Sequence, residues 1–462
     1  MDPVASSARM MPRIVYLATA DARGHLMRAQ LLVHALRTAG AQVDVLTTSD
    51  AGQAFLSAFG IDAPVLSRHY AVQFDARQNM LRDATDRNVA HYVFRPARML
   101  RDIARLRAIV RDADLVINDS FHPALLFMGA MPGWRRRIVH VYGGSLRRAL
   151  TANFDARLPR ALARAFARIV DWQIDSALCC IEHDFAYEVA DDAQRSRRFC
   201  RLPTPVPVVA ELPASEPAAA AVYLNPHFRD VSLADALSAG MRDAGLSAHR
   251  VGEGYAGHDG WTGVDTDWAM RAAHAPLIVS APGMAALSIA RVYRRPILLV
   301  LTDQPEQASN AARAARLQLV HRIVTWRGDA AAFRQEVGQA AADLMCNPGT
   351  REGTIAGREH ARARVDAWTS RMLALCPHAR TADVDTRCEA PAPRSTRCRF
   401  VTIAGPISGR CWPRRSAWPR ASRSSFCWSA ASRRAMCSPR RSMRGFRSSR
   451  GRGSSMSAFF RS

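Results

Sequence analysis

The stretch "RRPILLVLTDQPEQASNAARAA", residues 294–315, reads as a buried strand, a polar corner and a helix. "PILLVL" is a short unbroken apolar run, as a strand covered on both faces requires. Asp303, Gln304, Glu306, Gln307 and Asn310 follow it, crowded into the corner and the first turns of the helix. In open α/β sheets ligands sit beyond the carboxyl ends of the strands. The corner is therefore where such a chain would present hydrogen-bonding side chains. A carboxylate beside an amide can accept from and donate to vicinal hydroxyls, as on a sugar ring. Charge compensation at a helix start would explain Glu306 alone, but not Gln307 and Asn310.

The same grammar extends in both directions. "RIVYLAT", "QVDVLTT", "DLVIND", "RIVHVYGG" and "SALCCIE" are apolar runs that end in polar or glycine residues, separated by helical stretches. One helix begins at "HLMRAQLL", with Leu26, Ala29, Leu32 and Leu36 on one face and Gly40 closing it. Two arginine-rich helices are expected near 97–112 and 156–174. "LPTPVPVVAELPASEPAAA", residues 202–220, holds five prolines and reads as a linker. The alternation then restarts with "AVYL", a helix over 231–244, "APLIVSA", a helix over 284–293, "PILLVL" and a helix over 306–317. This pattern predicts an α/β chain of two domains, 12–201 and 221–375, each a parallel sheet covered by helices, with a cleft between them. A final helix near 354–374 has the length to pack back across the hinge.

Composition bounds the rest. At 462 residues the chain exceeds one hydrophobic core, and 48% hydrophobic with 23% charged residues fits a globular protein. No run approaches the roughly 20 apolar residues of a membrane span. "IVYLATA" turns polar too soon for a signal peptide, so a cytoplasmic location is expected. Ten cysteines fall in no C-x-x-C or Cys/His spacing, which predicts neither a zinc site nor a disulfide framework. The net charge is +24 with no lysine, a pattern that fits G+C-rich coding. Residues 381–462 carry 18 arginines against three acidic residues and lack apolar periodicity. That segment reads as a basic unstructured tail, a small third module or a shifted reading frame, and no function is built on it.

Four places could carry chemistry. In "ADARGHLMRAQ", Gly24 permits close approach of a ligand to a helix start, His25 sits at the opening and Arg28 lies one turn on. An imidazole there can take a proton from a hydroxyl, or can simply pack. In "DLVINDSFHP", Asp119 ends a strand and could orient His25, or could close an Asx-turn; His122 is a second candidate. In "APGMAALSIA", Gly283 precedes a helix whose first amides, from Met284 on, suit a diphosphate. The corner at Glu306, Gln307 and Asn310 is the fourth. Separately, Leu158, Leu162, Phe166, Ile169 and Trp172 share a helix face. It reads as a core face, with docking to a membrane surface as the alternative.

Together these pieces resemble the inverting GT-B glycosyltransferases, the group that includes UDP-sugar transferases and the peptidoglycan lipid-linked N-acetylglucosaminyltransferase. "RGHLMR" is similar to the group's G-H-x-x-(P/R) turn. "APGM", "RRPILLVL" and "EQASNA" follow in the order of its donor-side motifs, over about residues 12–375.

The resemblance implies two Rossmann-like domains, an N-terminal one for the acceptor and a C-terminal one for a nucleotide-sugar such as a UDP-sugar. It implies His25 as general base with Asp119 orienting it, and Gly24 and Arg28 in the acceptor and phosphate loop. Gly283 and Met284 would meet the diphosphate, and Glu306, Gln307 and Asn310 the sugar. Helix-dipole stabilisation of the leaving diphosphate would make a metal and any further cofactor unnecessary. Implied partners are the donor and a small-molecule or lipid-linked acceptor, with peripheral membrane contact as an option and without nucleic acid. The sequence departs from the group at Ile289, where a ribose-binding glutamate is usual, and at Ala281 and Ala286. His227 or Arg229 could supply positive charge instead. A degenerate protein that binds without turnover and a nucleotide-sugar epimerase of the same fold are the alternative readings.

Overall fold

In the first strand alternate residues enter opposite cores. Ile14, Tyr16 and Ala18 join one buried cluster, and Val15 and Leu17 join another. That division requires helices on both faces of a sheet, and the fold supplies them. The structure, a computed structural model, describes residues 11–18, 23–67, 96–144, 146–147, 160–189, 198–210, 219–226, 228–302 and 304–377.

The N-terminal elements are β1 (Arg13–Ala18), α1 (Arg23–Thr38), β2 (Gln42–Thr47), α2 (Asp50–Ala58), α3 (Pro96–Ile109) and β3 (Leu115–Asp119). They continue with α4 (Pro123–Ala130), β4 (Ile138–Gly143), α5 (Arg160–Ser176), β5 (Cys179–Asp184) and β6 (Phe199–Pro203). The sheet order is β2-β1-β3-β4-β5-β6 and every pairing is parallel. The order reverses at β1, so the switch point lies between β1 and β3, where ligands of such sheets collect.

The C-terminal elements are β7 (Ala220–Tyr223), α6 (Val231–Asp243), β8 (Ala248–Val251), β9 (Trp261–Thr262), α7 (Trp268–His274) and β10 (Ile278–Ser280). Then come α8 (Met284–Val292), β11 (Ile297–Leu301), α9 (Pro305–Arg316), β12 (His321–Thr325), α10 (Ala330–Met345) and α11 (Arg351–Leu375). This second sheet, β12-β11-β10-β7-β8-β9, is also wholly parallel. Ile297 and Leu299 of β11 face one cluster and Leu298 and Val300 the other, so "PILLVL" is the doubly covered strand its composition predicts. The sequence pattern passed over α2, α4, β6, β8, β9, α7, β12 and α10, and placed Leu202 and Pro203 of β6 in the linker. They are short, polar or alanine-rich, and carry little apolar periodicity.

Both sheets belong to one compact unit. α11 joins them: Ala361 lies in a C-terminal cluster, while Trp368, Met372 and Leu375 are buried with Ile14 and Leu32 in the N-terminal core. Trp368 Nε1 donates to the Pro203 carbonyl at 2.9 Å, and Arg364 Nη1 to the Thr204 carbonyl at 3.2 Å. The helix expected near 354–374 thus crosses the hinge and holds the end of β6 against itself. The apolar face expected on α1 is wholly buried at Leu26, Ala29, Leu32 and Leu36.

The core face expected on α5 is not. Of that face only Phe166 packs against a core cluster; Ala163, Val170 and Ile174 are buried, whereas Leu162, Ile169 and Trp172 are exposed and Leu158 lies outside the described residues. α5 packs against α4, and Leu126 of α4 and Tyr142 of β4 share a cluster with Val170 and Ile174. The inward stripe is therefore set by the residues that meet α4, and Leu162, Ile169 and Trp172 turn outward. Residues 381–462 lie outside the described residues.

Candidate functional site

Three segments converge at the carboxyl ends of β1, β3 and β5. α1 starts at Arg23, so Gly24 and His25 occupy its first turn. A side chain at Gly24 would meet open space, which leaves the backbone at the helix start accessible. Asp119 ends β3 and is wholly buried. Its Oδ2 accepts from Tyr16 at 2.7 Å and from Arg28 Nε at 3.0 Å, and its Oδ1 from Arg28 Nη2 and, at 3.1 Å, from Ser120. Arg28 is itself 3% exposed and turns inward, so its fork is spent on Asp119 and on His183 of β5 rather than on the opening. Burial disfavours the Asp119 carboxylate, but the Arg28 guanidinium outweighs it and holds its pKa well below the usual range.

The histidines divide by their neighbours. His25 Nδ1 lies 2.7 Å from Arg28 Nη2, 2.6 Å from Ser120 Oγ and 3.4 Å from Asp119 Oδ1. A guanidinium only donates, so Nδ1 accepts here and the neutral ring carries its hydrogen on Nε2. His183 is buried, and burial followed by the Arg28 charge pushes its pKa well down. Its Nε2 accepts from Arg28 at 2.6 Å, so its Nδ1–H donates to Thr204 Oγ1 at 3.0 Å. His122 is not at the opening. It is buried at the N-cap of α4, where Nδ1 accepts from Ala124 N at 3.3 Å, and burial lowers its pKa to about 4.

The neighbouring Asn118 closes the turn after β3 on His122, four residues on. Asn118 Oδ1 accepts from His122 N at 2.8 Å and its Nδ2 donates to the His122 carbonyl at 3.3 Å. Inside that clasp Ser120 and Phe121 have φ of 71° and 62°, the left-handed region that non-glycine residues avoid. This turn is what places Ser120 Oγ against His25. Ser120, Tyr16 and His183 carry no motif; position at a strand end could have marked Ser120 and His183, whereas Tyr16 lies inside β1.

The opposite wall comes from α8 and α9. Gly283 caps α8 with φ −83°, and Met284 starts the helix. Met284 Cε lies 3.6 Å from where a Cβ on Gly143 would stand, so this side chain reaches the N-terminal domain. Gln307 Oε1 accepts from Thr302 N at 2.7 Å and from Thr302 Oγ1 at 3.2 Å. Asn310 Nδ2 donates to the Pro282 carbonyl at 3.0 Å. Gln307 thus closes the β11–α9 corner on itself, and Asn310 stitches that corner to the loop before α8. Asp303, His227 and the Glu306 side chain lie outside the described residues. Ile289 is 1% exposed and faces α1, where Gly24, Met27 and Leu31 line the same small cavity as Ala285 and the hinge residues Thr204–Pro207.

Ion pairs close the two domains on each other. Arg23 pairs with Glu253, Arg313 with the buried Asp184, and Arg291 with Glu188. Arg291 Nη1 also donates to the Phe185 carbonyl at 2.7 Å. Among the described residues no group of three His, Cys, Asp or Glu is disposed to hold a metal ion.

No family model and no curated protein matches the sequence. Among solved structures the chain is similar to Arabidopsis thaliana UGT89C1 complexed with quercetin, at TM-score 0.51 and 12% identity over 78% of this chain and 99% of that one. It is also similar to the glycotransferase of kitacinnamycin, at TM-score 0.47 and 16% identity over 82% of this chain and 99% of that one. A third is the Streptomyces sp. SF2575 glycosyltransferase SsfS6 complexed with thymidine diphosphate, at TM-score 0.44 and 15% identity over 82% and 100%. The chain has the GT-B fold found in glycosyltransferases.

Proposed function

We propose that this chain transfers a sugar from a nucleoside-diphosphate donor to an acceptor hydroxyl, in the gap where α1 and α8 meet. The observation that carries the reading is the convergence of two helix starts across the domain boundary. α1 brings Gly24 and His25 from one sheet, and α8 brings Gly283 and Met284 from the other. The first amides of α8 have no partner within their own helix and suit a diphosphate, whose departure they would stabilise. The β11–α9 corner beside them would hold the sugar, with the Gln307 amide N–H₂ donating to its hydroxyls.

His25 would take the proton of the acceptor hydroxyl at Nε2, and the acceptor oxygen would attack the anomeric carbon from the face opposite the diphosphate, inverting it. This role requires a hydrogen on Nδ1. Arg28 must therefore withdraw from His25 onto Asp119 and His183, leaving Nδ1–H to Ser120 Oγ or Asp119. His25 thus works as a base in one arrangement of Arg28 and as a donor in the other.

Calorimetry with UDP and with thymidine diphosphate tests the donor half. Transfer to a panel of acceptors that includes quercetin tests the other half. Absence of diphosphate binding would sink the reading. Binding with neither transfer nor sugar hydrolysis would move the protein to the binding-only alternative.

A further inference from the structure

We infer that the outward face of α5 docks on an anionic lipid bilayer. Leu162, Ile169 and Trp172 are 58%, 53% and 59% exposed, although a sheet-covering helix normally buries its largest apolar residues. They recur at seven- and three-residue spacing with the exposed Ala165 between, so they form one stripe along the helix. Arg160, Arg164 and Arg168 are exposed beside it, and none of them pairs with a carboxylate among the described residues. The nearby acids are already occupied: Arg147 holds Asp171 at 2.9 Å and Asp175 at 3.0 Å. The face is thus apolar along its crest and positive along its flank.

Charge decides between occupants. A second copy of the stripe would set arginine rows near one another with no free acid to answer them. An anionic bilayer accepts both features: Leu and Ile enter the acyl boundary, the Trp172 ring sits at headgroup depth, and the guanidiniums meet phosphates. α5 runs back from the carboxyl end of β4 to the start of β5, so Leu162 stands at the end of the domain that carries His25 and Asp119. Docking there would hold the mouth of the gap near the membrane surface. The proposal does not depend on which reaction the gap performs.

Sedimentation with phosphatidylcholine vesicles, with and without phosphatidylglycerol, tests it on the full chain at low and high salt. The arginine-rich residues 381–462 can add a purely electrostatic attraction, which salt removes; insertion of the stripe persists. The wild type is expected to sediment with phosphatidylglycerol vesicles and to retain a bound fraction at high salt. Ile169→Ser with Trp172→Ser should lose that salt-resistant partition by about tenfold or more, with an unchanged circular dichroism spectrum. Arg164→Gln with Arg168→Gln should weaken binding at low salt. The inference is overturned if the serine pair sediments like wild type, or if the wild type ignores the vesicles. It is equally overturned if light scattering shows a wild-type dimer that the serine pair dissociates, or if polyglutamate captures the wild type while vesicles do not.

Discussion

Nη2 of Arg28 lies 2.7 Å from Nδ1 of His25, closer than any oxygen of Asp119 comes to that ring. An arginine thus stands inside what the motifs alone suggest is a His–Asp pair. Nitrogen-15 histidine spectra of the free protein should show His25 with its hydrogen on Nε2. Arg28→Ala should move it to Nδ1; an unchanged spectrum would mean that Arg28 does not set the tautomer. If His25 is the base, His25→Ala should lower turnover by about 10² or more while diphosphate binding survives.

Removing Arg28 has a second cost. Asp119 is wholly buried, and Arg28→Ala takes away the guanidinium that most favours its charged form. Arg28→Ala should destabilise the fold by about 3–5 kcal/mol in urea titration. Asp119→Asn in the same chain should recover part of that, and strictly additive losses would show the pair to be uncoupled.

Acid should weaken the protein from near neutrality downward. Burial lowers the pKa of His122 to about 4 and of His140 to about 3, so both stay neutral in the fold while the unfolded chain protonates near pH 6.5. The unfolded state then binds more protons, and stability rises with pH across that window. Each histidine contributes a slope of about 1.4 kcal/mol per pH unit between those limits. Below roughly pH 4 the depressed Asp119 adds a loss of the same sign, because its stabilisation exists only while the carboxylate is charged. Urea midpoints from pH 7 to 5 measure the first effect, and His140→Gln should flatten the curve.

The motif order implies a carboxylate at position 289 where this chain has isoleucine, and introducing one is an obvious experiment. The structure predicts failure. Ile289 faces Met27 and Leu31 across the domain boundary, so Ile289→Glu buries an unpaired charge. The expected outcome is a fall in stability of several kcal/mol, of order 3 or more, with no gain in diphosphate affinity by calorimetry.

Much of this was legible from the chain. Alternating apolar runs and helices are a backbone-scale signal, which is why β1, β3, β4, β11 and the hinge-crossing α11 emerge from periodicity alone. Gly24, His25 and Gly283 emerge from the turns they occupy. Arg28 does not, because the sequence places it at an opening while only the assembled sheet shows Asp119 and His183 behind it. The same limit applies to α5. Its largest apolar residues suggest a buried face, but the direction a helix faces is decided by its neighbours, here α4, and not by its own pattern.

α11 also has a consequence for synthesis. Trp368, Met372 and Leu375 complete the core that begins at Ile14, so the first domain to leave the ribosome is the last to be sealed. While the second sheet is being made, the surface of α1 and β1 that awaits Trp368 has no cover, and a chain ending before residue 367 keeps that gap for good. Vectorial folding, which ordinarily favours the leading domain, is here held open by the trailing one.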